Sequence, residues 1–148
     1  MDYITGLLIH PAERAAVTVR FQPTLAGLHH LVRSQAPRRF TSANGRLQYL
    51  TADCPAREED PIVYHREWPR PVPGRVLIVG AVGEGGRPTS LTPQQIAGCC
   101  RSHRIGTQYC GGMVVWEKLE KHRQVATLTQ TVKLIPRFQQ LCLPLQRA

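Results

Sequence analysis

The segment Val76-Leu-Ile-Val-Gly-Ala-Val-Gly-Glu-Gly-Gly-Arg-Pro-Thr-Ser-Leu-Thr-Pro-Gln-Gln-Ile96 decides how the fold is read. Val76–Val82 is an almost unbroken apolar run with no polar alternation, the pattern of a buried strand. Thr92-Pro93-Gln94-Gln95 opens a helix, with proline at the first helical position and Thr92 and Gln95 spaced as a capping box. Gly80 falls within that run, and Gly83, Gly85, Gly86 and Arg87 lie between the run and the helix. Glycines let backbone approach a ligand closely, and an adjacent arginine suits an anionic one. The spacing excludes a dinucleotide fingerprint, which needs G-x-G-x-x-G running straight into a helix, and no Lys-Ser or Lys-Thr pair makes a P-loop. Two readings stay open. One is a surface turn. The other is a non-standard phosphate site built from Gly83, Gly85, Gly86 and Arg87 beside the helix N-terminus near Thr92.

Outward from that segment, the rest of the chain alternates short strands with one further helix. Residues 3–9 and Ala16–Phe21 read as two strands of an antiparallel hairpin, broken at His10-Pro11. Thr24 caps a helix whose Leu25, Leu28, Leu31 and Val32 recur at helical spacing, with Gly27 weakening it. Asn44-Gly45 between residues 38–43 and 46–50 is a strong two-residue hairpin signal. Residues 51–61 read as a loop, Ile62–His65 as a short strand, and Pro69, Pro71 and Pro73 as a connector or edge. The second helix is expected to run to about Arg104, with Ile96, Cys99, Cys100 and His103 on one face. Met113–Leu119 can be helix or strand, and Val125–Ile135 is β-like. The expected architecture is α+β: a small antiparallel sheet, two main helices, a core domain over 1–104 and a C-terminal extension over 105–148 packed on it.

A chain of 148 residues supports one core, and its 42% hydrophobic content is ordinary for a soluble fold. No run approaches the ~20 apolar residues of a membrane span, and the N-terminus lacks a signal-peptide pattern, so a cytoplasmic protein is expected. Five cysteines outside a secretory context imply free thiols. The net charge is +9, and 16 of the 19 basic residues are arginine. Arginine's planar fork binds phosphate or carboxylate bidentately, although the same bias is also what a GC-rich coding sequence produces. Either way the excess charge attracts anions.

Among candidate chemical groups, Cys99, Cys100, His103 and Cys110 could supply zinc ligands, but no C-x-x-C pair exists, and buried packing is the simpler reading. Cys110 on a Cys-Gly-Gly loop with His103 or His122 as base would make a small thiol enzyme. The expectation is nevertheless no catalytic residue, no metal and no cofactor. Adjacent His29 and His30 point about 100° apart on a helix, one at the boundary and one in solvent. His65 and Trp68 among arginines offer a stacking site, with an ordinary edge strand as the alternative. Arg38, Arg39 and Arg46 are expected to gather across the Asn-Gly hairpin and contact phosphates. No helix-turn-helix, zinc-finger or RNP signature accompanies the basic residues.

Leu7-Leu-Ile-His-Pro, Leu28-His-His-Leu-Val, Asn44-Gly45, Leu77-Ile-Val-Gly and Ser90-Leu-Thr together resemble small phage- and plasmid-encoded accessory proteins of unknown function, over roughly residues 3–104. That resemblance implies a mobile-element accessory protein and carries over no catalytic residues. The leading expectation is thus a non-enzymatic phage protein that binds an anionic ligand, a nucleotide signal, to counter a host defence. The alternatives are a basic protein inhibiting through nucleic acid or a host protein, and a small Cys/His enzyme. The partners expected are a nucleotide or host protein, with nucleic acid possible, no membrane, and a possible homo-oligomer.

Overall fold

An apolar strand that runs into His10-Pro11 has to stop there, because proline lacks the amide that a ladder needs. The computed structural model describes residues 3–34, 37–52, 60–83, 86–109 and 112–119, and the backbone of 122–127. In it β1 (Ile4–His10) ends in a 3-10 turn over Pro11–Glu13 and returns as β2 (Ala15–Phe21), paired from Ile4↔Phe21 to His10↔Ala15. Arg14 closes the turn in the left-handed region at φ 53°. Helix α1 (Leu25–Val32) begins where the sequence placed its cap, with the Thr24 hydroxyl accepting from the Gly27 amide.

β3 (Arg38–Thr41) and β4 (Leu47–Thr51) form the hairpin signalled by Asn44-Gly45, and Gly45 takes the positive φ that the turn requires. β5 (Ile62–Tyr64) pairs with the two-residue β6 (Val72–Pro73), and β7 (Val76–Gly80) follows. Helix α2 (Pro93–Ser102) starts on the full capping box of Thr92 and Gln95. Beyond it come β8 (Arg104–Tyr109), β9 (Met113–Lys118) and β10 (His122–Thr127).

The α+β class and the two main helices stand, with two sheets rather than one. The larger has the order β10-β2-β1-β7-β4-β3, and the smaller β6-β5-β8-β9. Every pairing is antiparallel except β2–β10, where a strand from the chain's last third runs parallel to one from its first. The segment expected as an extension from residue 105 therefore supplies β8 and β9 to the second sheet and β10 to an edge of the first. Val125–Ile135 lies only partly within the described residues, and β10 begins three residues before it.

β7 is buried at all five positions, which is why its sequence shows no alternation. Leu77 and Val79 face a core with Leu8, Val17, Leu28, Leu31 and Leu50, covered by α1. Val76 and Ile78 face a second core with Leu7, Ile9, Tyr49, Val63, Trp68, Cys99 and Ile105, covered by the smaller sheet and α2. The large sheet is thus the middle of three layers. Leu77, fully buried in its centre, should be among the costliest positions to truncate. Leu77→Ala is expected to lower stability by about 2–5 kcal/mol in denaturant titration, through lost transfer energy plus the residual cavity.

Candidate ligand-binding groove

β3 is an edge strand, so one side of it faces no neighbour in the sheet. Its pleat puts Arg38 and Phe40 on the face of the second core, since they pair with Thr51 and Tyr49; Arg39, opposite Leu50, falls on the α1 face. The hairpin that holds β3 is stiff. Asn44 Oδ1 accepts from the Ser42 hydroxyl and the Arg46 amide, and Ser42 Oγ accepts from the Leu47 amide.

The opposing wall comes from the turn after β5. The Trp68 amide donates to the His65 carbonyl and the Glu67 amide to His65 Nδ1. This tight turn drives the Trp68 ring inward, to 7% exposure, and leaves Glu67 exposed beside it. Phe40 stacks on Tyr49 (4.9 Å between centroids, 21° between planes), and Trp68 stands nearly perpendicular to both at 5.5 and 5.1 Å. Offset stacks and edge contacts of this kind each add ~0.5–1.5 kcal/mol beyond area burial. Between the walls lies a groove of about 240 Å³, lined chiefly by Arg38, Phe40, Glu67, Trp68, Arg70 and Val72. That is slightly below the ~300 Å³ of small ligand pockets, enough for a planar group whose charged end stays at the rim.

Behind Trp68 the polar groups are satisfied rather than reactive. His103 is fully buried. Its Nδ1 lies 2.8 Å from the Cys99 carbonyl, which can only accept, so Nδ1 carries the proton. Nε2 is then an acceptor, and the Tyr49 hydroxyl donates to it at 3.0 Å. Burial above all lowers the His103 pKa to about 4, so the imidazole is neutral. Burial also raises the Tyr49 hydroxyl well above its ordinary range, and pushes the Cys99 thiol up to about 12. A protonated, enclosed thiol is inert. Tyr49→Phe strands a buried acceptor and is expected to cost about 1–3 kcal/mol, read as a lower melting midpoint with the fold retained.

Two buried histidines also set an acid response. His10, whose Nε2 accepts from Arg75 at 2.7 Å, has its pKa lowered to about 3, first by burial and then by the Arg75 and Arg33 charges. Histidines with depressed native pKa bind fewer protons folded than unfolded below the unfolded value of about 6.5. Their contribution is complete above that pH and is lost as pH falls towards 4 and 3. Calorimetry should show the melting midpoint dropping from pH 7 to pH 4.5, each histidine adding a slope of at most ~1.4 kcal/mol per pH unit. A midpoint constant over that range would contradict their neutral burial.

The residues expected to bind ligand divide clearly. Arg38 and Trp68 line the groove. His65 does not; its ring sits 4.6 Å from His103 and 6.1 Å from Trp68, and burial foremost lowers its pKa. The three arginines expected to gather are separated: Arg39 takes the other face, and Arg46 lies five residues along β4 from Thr51, the partner of Arg38, or ~17 Å. Gly83, Gly86 and Arg87 form a turn beyond the end of β7, and Gly85 lies outside the described residues. Within that turn the amides are engaged: Gly80 donates to Thr89, Gly83 to Arg87 and Gly86 to Gly83. At the α2 start Pro93 has no amide, and the Gln95 amide serves the cap. Among the described residues these amides are not open to a phosphate, whereas Arg87 is exposed.

Phe40, Glu67 and Arg70 complete the groove, and no local motif marks them. The two-residue spacing of Arg38 and Phe40 was a usable signal for Phe40; Glu67 and Arg70 carried none, because their place depends on a turn meeting a distant strand. Cys99 packs in the second core, Cys100 against it, and His103 beside Tyr49; Cys110 lies outside the described residues. His29 is half-buried and His30 exposed, the expected division. No group of three or more His, Cys, Asp or Glu among the described residues is placed to hold a metal, and no described helix is long and apolar enough to cross a membrane. Comparison with protein families, curated proteins and solved structures found no match.

Proposed function

We propose that this chain is a binding protein for a small anionic ligand with a planar aromatic part, a nucleotide, held in the groove between β3 and residues 67–72. One observation carries the reading: two arginines, Arg38 and Arg70, flank an aromatic wall on a protein of net charge +9. A planar ring stacks on the face of Phe40 that Tyr49 does not cover, beside Trp68. The guanidinium groups at the rim meet phosphate oxygens in charge-assisted pairs. Stacking and charge act at opposite ends of such a ligand, so it is oriented as well as held. Binding rather than chemistry is supported by the buried groups nearby, where both His103 nitrogens are engaged and the Cys99 thiol is protonated. In the mobile-element setting suggested by the sequence resemblance, retention without turnover sequesters a host nucleotide signal.

Thermal unfolding in a panel of nucleotides and their unphosphorylated nucleosides tests this. A ligand that binds only the folded state raises stability by RT ln(1 + [L]/Kd), ~2.7 kcal/mol at one hundred times Kd. The expected result is a saturable rise in melting temperature with at least one nucleotide and a much smaller rise with its nucleoside. No rise with any nucleotide in a broad panel would overturn the proposal.

A further inference from the structure

Within the groove, Glu67 is the sole acidic side chain of a lining that it shares with Arg38 and Arg70. Oppositely charged groups lining one groove can pair, yet neither Arg38 nor Arg70 forms an ion pair with Glu67. Glu67 is held ready by its backbone. Its amide is fixed on His65 Nδ1, and the next residue is the buried Trp68, so the carboxylate emerges at the edge of the aromatic wall. Its charge is felt nearby, opposing the effect of burial on His65.

A carboxylate only accepts hydrogen bonds, and its two oxygens suit two adjacent donors in one plane. Among the common nucleobases guanine alone presents that pair, N1–H beside the N2 amino group. Adenine places an acceptor at N1, and hypoxanthine lacks the second donor. Phosphates next to Glu67 would be repelled, so the base end lies at Glu67 and the phosphate end at the arginines. We infer that the groove selects guanine nucleotides, with Glu67 reading the base edge while the ring stacks on Phe40 and Arg38 and Arg70 hold the phosphate. This rests on the nucleotide reading above.

Calorimetric titration of wild type and Glu67→Gln with GMP, IMP and AMP tests it. Glu67 is exposed, so the variant is expected to keep the wild-type melting temperature. Wild type should bind GMP at least about tenfold tighter than IMP or AMP. Glu67→Gln, which sets an amide donor against a guanine donor, should lose about tenfold for GMP and little for AMP. Equal wild-type affinities for GMP and AMP, or equal losses for both in the variant, would overturn the guanine assignment while leaving nucleotide binding intact. Binding of none of the three would overturn both.

Discussion

Arg38→Ala combined with Arg70→Ala is expected to weaken nucleotide binding by about 10²–10⁴-fold while the protein stays folded. A hydrogen bond to a charged group contributes ~1.5–3 kcal/mol, so losing two removes ~3–6 kcal/mol, at about tenfold per 1.4 kcal/mol. Both arginines are exposed and neither belongs to a core cluster, so the melting temperature without ligand should hardly move. Arg39→Ala and Arg20→Ala provide the contrast. They remove the same charge from the other face of β3 and from β2, across the sheet from the groove, and should weaken binding several-fold at most, through long-range attraction that salt screens. Titration calorimetry at two salt concentrations separates the two outcomes. Equal losses in both pairs of variants would mean that diffuse charge, not the groove, attracts the ligand.

The second large effect concerns folding. Gly80→Val is expected to lower the melting temperature by about 10 °C, the consequence of about 3 kcal/mol of overpacking in a domain of this size. Gly80 ends β7 where the chain returns through Thr89. Its amide donates to the Thr89 carbonyl at 2.8 Å, and the Thr89 hydroxyl donates to the Ala81 carbonyl at 2.6 Å. A Cβ there would lie 2.5 Å from Thr89 Oγ1 and 2.8 Å from the Ser90 carbonyl oxygen. Since backbone is among the obstacles, a side-chain rotation cannot relieve the clash. Gly98→Ala in α2 is the matched control: its Cβ would meet only the end of Arg101 at 4.0 Å, and better helix propensity should leave stability unchanged or up to ~1 kcal/mol higher. Differential scanning calorimetry of the two variants reads both expectations.

These two effects mark what the sequence could and could not tell. The strands β1, β2 and β7 and the caps at Thr24 and Thr92 were legible because their signals are local: an apolar run, a proline stop, a hydroxyl three residues before the amide it accepts from. The Val76–Ile96 segment correctly predicted a strand, a turn and a capped helix. Its glycines, however, mainly serve the turn, since Gly80, Gly83 and Gly86 all donate within it. What stayed hidden depends on distant parts of the chain meeting. β7 pairs with both β1 and β4, and β10 adds to β2 in parallel; neither leaves a mark in either partner's own residues. The groove is of this kind too. Arg38 and Trp68 were individually conspicuous, but Arg70 is one exposed arginine among many until the 65–68 turn carries it opposite β3. His65 looked like a ligand group beside Trp68, yet the same turn directs its ring to His103.

The most direct test is where on the protein a nucleotide binds. In a titration of ¹⁵N-labelled protein with GMP, followed by amide chemical shifts, the expected perturbations map to residues 38–43 and the non-proline positions of 67–72, saturating together. Perturbations confined to Gly83, Gly86, Arg87 and Gln94, or none at all at high ligand concentration, would contradict the assignment of the ligand site to the groove.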